Sequence, residues 1–189
     1  MTQLLLDIQP KPIPTLDNFI VGTNSELLAA LRQDKKRVYV WGPTGCGKTH
    51  LLMATVRDAV VDDVHRLTEE EQVVLFRLFN QEGSLLLAGD QPPARLSLRE
   101  DLRTRIAQCL VFEIRPLSDE DKLNALRHHA KMRAMQVSEP VFRYMLIHGR
   151  RDWPSLMGLL NHLDQISLEQ HRVITLPLLK EIMHESGSV

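Results

Sequence analysis

The stretch Gly42-Pro43-Thr44-Gly45-Cys46-Gly47-Lys48-Thr49 decides the fold. It fits G-x-x-x-x-G-K-[ST], with Gly42, Gly47, Lys48 and Thr49 at the required spacing. Glycines let the backbone curl until its N–H groups point inward at phosphate oxygens. Lys48 offers a point charge to the outer phosphates, and Thr49 offers a hydroxyl to Mg²⁺. Pro43, Thr44, Gly45, Cys46 and His50 complete the set expected to hold ADP or ATP. Working outward, Arg37-Val38-Tyr39-Val40-Trp41 reads as a short buried strand before the loop. His50 to Val56 reads as the start of a helix after it. The N-terminus of such a helix adds its own field to the anion site. A Gly-rich turn without a ligand would need neither flank.

The 189 residues suffice to bury a core, as one domain or one and a half. Hydrophobic content of 43% and charged content of 25% are ordinary for a globular chain. A net charge of −1 leaves no global basic field, so direct sequence-specific DNA binding is not expected. Two cysteines, Cys46 and Cys109, make neither a disulfide framework nor a metal cluster. Cys46 is expected to be a small residue tolerated in the loop rather than a catalytic one. The eight histidines, His128 and His129 among them, show no metal-ligand spacing and are expected at the surface. No apolar run approaches the ~20 residues that span a bilayer. No signal-peptide pattern opens the chain. The expected compartment is the cytoplasm, with no membrane partner.

Pro10, Pro12 and Pro14 forbid helix near the start, so residues 1–14 read as an extended tether. Within it, Gln3-Leu4-Leu5-Leu6-Asp7-Ile8 alternates apolar side chains on an extended segment, as a docking peptide would. A strand added to the protein's own sheet fits the same pattern. Asn24 or Ser25 can cap a helix through Leu31. Ala59-Val60-Val61-Asp62-Asp63 reads as a buried strand ending in two acids. Thr68-Glu69-Glu70-Glu71 is a capping-box pattern opening a helix to about Asn80, with Val73, Val74, Phe76, Leu78 and Phe79 as its apolar content. Ser84 to Ala88 and Leu110 to Ile114 are two further strands. Beyond Pro116 everything reads helical, with starts at Ser118, Ser138, Pro154 and Thr175. Strands alternating with helices, then a helical tail, predict an α/β parallel sheet over 15–115 and a small all-α domain over 116–189.

Three acids follow strands. Asp62 is placed to hold Mg²⁺ together with Thr49, Asp63 to orient an attacking water, and Asp90 to touch that water or the γ-phosphate. Solvated strand ends and a turn before Gln91-Pro92-Pro93 are the competing explanations. Arg103 and Arg105 lie on a helix spanning Arg99–Ala107, from which an arginine can reach a phosphate bound on a neighbour. Surface solvation is the usual role of such arginines.

Together these residues resemble the AAA+ ATPases, and within them the DnaA-related regulators of replication initiation. Thr15-Leu16-Asp17-Asn18-Phe19-Ile20-Val21-Gly22 with Asn24 is similar to the family's adenine-side segment. Leu87-Ala88-Gly89-Asp90-Gln91-Pro92-Pro93 resembles its sensor 1 stretch, and Leu117 to Leu123 the start of its lid. Thr104-Arg105 matches the pair that supplies the family's arginine finger, which singles out Arg105. The hexapeptide containing Gln3, Leu4, Leu6 and Ile8 resembles the family's sliding-clamp-binding motif. The resemblance implies an adaptor that sits on the clamp, engages an ATP-bound DnaA-type initiator and provokes its hydrolysis. Set beside the initiator, the chain ends near the last lid helix, so an initiator-type DNA-binding domain is not expected. Pro154, at the position of the family's sensor 2 arginine, makes weak or no intrinsic ATPase activity the expectation. Homo-oligomerisation is left open.

Two features depart from the family pattern. Only 13 positions separate Thr49 from Asp62, whereas a βαβ unit takes about 30 residues. Either a strand and helix have been lost here or the natural chain is longer; as it stands, the connection is expected to be strained. The family's sensor 2 arginine position carries Pro154, with Arg151 as the nearest substitute. An ATPase in its own right, of helicase-loader or clamp-loader type, is the alternative to the adaptor, and Pro154 speaks against it. A nucleotide-independent scaffold is the third reading.

Overall fold

The computed structural model describes residues 13–33 and 36–186. The clamp-motif residues Gln3, Leu4, Leu6 and Ile8 lie outside the described residues. The chain divides into two compact units, with the boundary between Pro116 and Leu117.

The first unit is a four-stranded sheet. Its strands are β1 (Arg37–Trp41), β2 (Ala59–Val61), β3 (Leu85–Gly89) and β4 (Leu110–Glu113), in the order β2-β3-β1-β4. Every pairing is parallel. The central pair β1 and β3 is buried on both faces, which is why Leu85-Leu86-Leu87-Ala88 is continuously apolar. Side-chain alternation sorts the rest. Val38 and Val40 face Leu27 and Leu28 of α1 (Ser25–Leu31) and Leu51 of α2 (Lys48–Ala54). Tyr39 faces the other way, onto Leu75 and Phe79 of α3 (Glu69–Phe79) and Leu102 and Ile106 of α4 (Glu100–Ala107).

The strand expected to be buried at Ala59–Asp63 is instead an edge strand. Only three of its residues pair, and Val60 is 42% exposed. Its position at the end of the sheet explains the difference, because β2 has a neighbour on one side only. The β4 edge is similarly exposed at Leu110 and Val111.

The expected strain between α2 and β2 is not found. Four residues, Thr55–Asp58, close the connection, and none has a positive φ. Arg57 donates to Leu31 O at 2.7 Å and Gln33 O at 2.8 Å, satisfying carbonyls at the end of α1. Asp58 accepts from the Ser84 N–H and hydroxyl at 2.8 and 2.7 Å, just before β3. The turn is thus pinned on both sides.

Local signals explain the helix starts. Thr68 forms the capping box of α3 with Glu71, in both directions. Within α3 the phase differs from the expectation. Val73 and Val74 face solvent, while Gln72, Leu75 and Phe79 are buried. Gln72 is accommodated because its amide donates to Leu67 O and accepts from Arg99 N–H. Asn24 precedes α1 but does not cap it. Its side chain brackets the Arg115 backbone, donating to the carbonyl at 3.2 Å and accepting from the N–H at 3.0 Å.

The second unit packs α5 (Asp119–Met132), α6 (Glu139–His148), α7 (Trp153–Gln170) and α8 (Leu176–Ser186) around one apolar cluster. Leu126, Val141, Met145, Leu160, Leu163 and Leu179 are fully enclosed in it. Ser118 and Asp121 form the capping box of α5. Asp152, not singled out in the sequence, caps α7 by accepting from Ser155 N–H at 3.0 Å. Pro154 follows in its first turn, where a missing N–H costs nothing. Gly149 ends α6 without a left-handed turn; it is needed because a Cβ would lie 2.5 Å from Met145 O. Among the described residues, no helix is long and apolar enough to cross a membrane.

Candidate nucleotide site

The phosphate loop joins the C-terminal end of β1 to α2, the end of a parallel sheet at which ligands bind. Gly42 N–H donates to Gly89 O at 3.3 Å, which ties the loop to the end of β3. A Cβ at Gly42 would lie 2.6 Å from Ile114 O, so only glycine permits this approach. Gly45 and Gly47 have φ of 81° and 103°, a region that side chains disfavour. Gly47 is further closed by Phe19, whose ring lies 2.9 Å from where a Cβ would sit.

Lys48 Nζ donates to Gly42 O at 2.7 Å and Pro43 O at 3.0 Å. An ammonium has three donors, so one remains for an anion. Cys46 N–H donates to Pro43 O, tightening the turn. Burial pushes the Cys46 thiol up, with Lys48 opposing, so it has the character of a packed side chain rather than a nucleophile. Thr44 lies exposed on the loop. The His50 ring turns away from the loop, with Nε2 3.0 Å from Thr15 O and its centroid 5.5 Å from that of Phe19.

The two residues expected to share Mg²⁺ touch. Thr49 Oγ1 donates to Asp62 Oδ2 at 3.1 Å. The other Asp62 oxygen accepts from Asp63 N–H at 2.8 Å, which fixes the carboxylate. A hydroxyl beside an oriented carboxylate suits a hard cation. Together with the glycine-lined loop and the spare donor of Lys48, these residues fit a Mg²⁺-bound nucleotide. Among the described residues there is no cluster of three His, Cys, Asp or Glu side chains able to hold a metal alone. A cation here would therefore rely on phosphate oxygens and water for its remaining ligands.

Asp63 adopts a left-handed φ of 47°, and its carboxylate lies 3.7 Å from Arg66. Asp90 follows Gly89 at the end of β3, beside the loop, with Oδ1 3.4 Å from His65 Nδ1. Burial and the Asp90 charge together push the Tyr39 phenol well above its usual range, and its hydroxyl donates to Gln91 O at 2.6 Å. Neither His65 nor Tyr39 was legible as a site residue. His65 is one histidine among eight, and Tyr39 reads as strand filling.

Arg103 and Arg105 separate cleanly. Arg103 is ion-paired to Glu100 within α4. The Arg105 guanidinium lies over the Phe76 ring at 4.3 Å, and no described carboxylate pairs with it. Arg99 approaches the same ring at 5.9 Å. In the helical unit, Arg151 lies 3.6 Å from Asp119 and donates to Leu146 O at 3.4 Å.

Comparisons with known proteins agree with this geometry. Residues 119–183 match the family model described as the lid domain of Hda. AMPPCP-bound DnaA from Aquifex aeolicus superposes with a TM-score of 0.71 at 20% identity, covering 84% of this chain and 67% of that one. Domain III of the Thermotoga maritima replication initiation protein DnaA gives 0.76 at 18% identity, covering 93% and 97%. A point variant of Thermotoga maritima RuvB gives 0.71 at 16% identity, covering 90% and 71%. At these identities the superpositions establish the fold. The chain therefore has the fold of the DnaA and RuvB structures, and its residues 119–183 are similar to the lid domain of Hda.

Proposed function

We propose that this protein is a nucleotide-gated adaptor that shuts down replication initiation in the cytoplasm. It docks on the sliding clamp through Gln3, Leu4, Leu6 and Ile8, engages an ATP-bound DnaA-type initiator, and stimulates hydrolysis on that partner through Arg105. The observation that carries this reading is Arg105 itself. Its charge is stacked on Phe76 and unpaired with any described carboxylate, while Arg103 is held by Glu100. A guanidinium so placed is held by a ring face and keeps its donors free for a phosphate. An arginine supplied in trans stabilises charge developing in phosphoryl transfer, by about 10³ to 10⁵ in rate. The Hda lid match supports the DnaA-type partner.

In this reading ADP or ATP acts on the adaptor as a conformational control. The loop from Gly42 to Thr49 cradles the phosphates, Lys48 adds charge, and Thr49 and Asp62 hold Mg²⁺. Asp63 and Asp90 stand where a hydrolytic water would be oriented. Pro154 offers no phosphate contact, and Arg151 is engaged by Asp119, which favours weak intrinsic turnover. The contact between Thr49 and Asp62 favours the alternative of an ATPase of the helicase-loader or clamp-loader type. Turnover measured on the purified protein separates the two, because rapid hydrolysis without an initiator excludes the adaptor. Arg105→Ala should keep nucleotide and clamp binding and lose stimulation of the initiator by 10³-fold or so. Undiminished stimulation would remove Arg105 from the mechanism. Combined Gln3→Ala and Leu6→Ala should abolish retention on immobilised clamp, and unchanged retention would rule out the docking motif.

A further inference from the structure

The turn after β2 and the end of β3 meet at one pair of side chains. Val64–Arg66 forms a single 3₁₀ turn immediately after Asp62 and Asp63. Its His65 ring is largely buried, and Nδ1 makes no hydrogen bond yet lies 3.4 Å from Asp90 Oδ1. A buried ring nitrogen without a partner is costly. A shift of a few tenths of an ångström toward Asp90 would satisfy it. Asp90 is held in place from behind. Gly89 abuts Tyr39 so closely that a Cβ would lie 2.3 Å from the phenol oxygen. The Gly89 carbonyl takes the Gly42 N–H of the phosphate loop. Asp90 is thus the first carboxylate beyond the residue to which the loop is bonded.

A bare carboxylate at that place repels a terminal phosphate. A donor that binds the carboxylate sets its direction and offsets part of its charge. We propose that His65 is a positioning residue that holds the Asp90 carboxylate and thereby sets the ratio of the site's affinities for a nucleoside triphosphate and a diphosphate. The proposal rests on the nucleotide-binding reading above and adds to it the residue that tunes discrimination. His65 acts through Asp90 and need not touch the ligand. The diphosphate, lacking the terminal group, is indifferent to Asp90.

The test is calorimetry on the full chain with Mg²⁺, using ADP and the non-hydrolysable triphosphate AMPPCP. His65→Ala should lower the AMPPCP-to-ADP affinity ratio by about fivefold, the scale of one net hydrogen bond. ADP affinity should stay within about twofold. His65→Gln, which can still donate, should restore most of the ratio. In an Asp90→Asn background, His65→Ala should have no further effect. Equal losses for the two ligands, or the same loss with Asp90→Asn already present, would overturn the assignment. Should the unsubstituted protein bind neither ligand, the nucleotide reading itself fails, which is a separate result. Urea midpoints of each variant, followed by Trp41 fluorescence, identify any change that is only a loss of folding.

Discussion

In the unit ending at Pro116, apolar side chains lie in two layers on either side of a parallel sheet. Polar groups collect at the C-terminal ends of the strands: the phosphate loop after β1, Asp62 after β2 and Asp90 after β3. In the helical unit one cluster fills the space among four helices. Its charges form ion pairs around the outside, such as Arg172 with Glu181 and Arg143 with Glu139. Exposed pairs of this kind contribute little stability. The first unit therefore gathers backbone groups and carboxylates at one end of its sheet, whereas the second ties its charges into ion pairs, with His129 Nε2 left unsatisfied. One tryptophan sits in each unit, Trp41 at the end of β1 and Trp153 at the start of α7, so fluorescence of single-tryptophan variants can follow them separately.

The sharpest way to break this contrast is Lys48→Ala. The ammonium bonds two loop carbonyls and sits beside the anion site. Its loss should weaken AMPPCP and ADP binding by about 100-fold or more, the scale of a lost charge-assisted contact plus a loosened loop. The midpoint reported by Trp153 should not move. If calorimetry finds affinity unchanged, the loop does not act through charge, and the first unit is as self-contained as the second.

Leu126→Ala and Leu75→Ala compare the two interiors directly. Leu126 is wholly buried among four helices, and Leu75 lies at 2% exposure between α3 and the sheet. Each substitution should cost about 2–5 kcal/mol in urea denaturation. Leu126→Ala should lower the Trp153 midpoint and Leu75→Ala the Trp41 midpoint. Should both reporters move together in both variants, the units unfold as one cooperative body.

The helical unit was legible because caps and periodic leucines are local signals. Ser118 with Asp121 and the leucine spacing after Pro154 both act within a turn or two of chain. The phosphate loop was legible for a similar reason, since its glycines are required by conformation at fixed spacing. Burial of β2 was misjudged because an apolar triplet looks the same at the centre and at the edge of a sheet. Gln72 was missed because its partners, Leu67 O and Arg99 N–H, come from the preceding loop and a distant segment. Thr104-Arg105 singled out Arg105, and the Glu100–Arg103 pair is local to one helix, but the stacking of Arg105 on Phe76 of α3 depends on packing between helices. Asp90 was singled out, but its partner His65 depends on the register of β2 against β3.

A smaller effect separates the capping boxes. Thr68→Ala and Ser118→Ala each remove a side-chain acceptor for a helix N-terminal N–H, worth about 1 kcal/mol. Thr68→Ala should lower the Trp41 midpoint and Ser118→Ala the Trp153 midpoint. A null effect for either would mean that water replaces that cap.

The smallest effect is expected from His129, the one titratable side chain that the helical unit leaves buried and unsatisfied among the described residues. The sequence placed it at the surface with His128. Only His128 is exposed; His129 is half-buried, and its Nε2 is enclosed without a hydrogen-bond partner. Burial lowers its pKa and the Arg133 and His128 charges lower it further, while a hydrogen bond with the Asn161 side chain and the Asp164 charge oppose them. Arg133 itself is shared with Asp164 and Asn161. The unfolded chain therefore takes up this proton more readily than the folded one. The stability contributed by neutral His129 is complete above the unfolded value of about 6.5 and is lost as pH falls below it, toward the lower folded value. The Trp153 urea midpoint should thus decline between pH 8 and 5.5 more steeply than in His129→Gln, which cannot take a proton. If the two pH profiles are parallel, Asn161 and Asp164 accommodate the proton and His129 contributes no pH dependence.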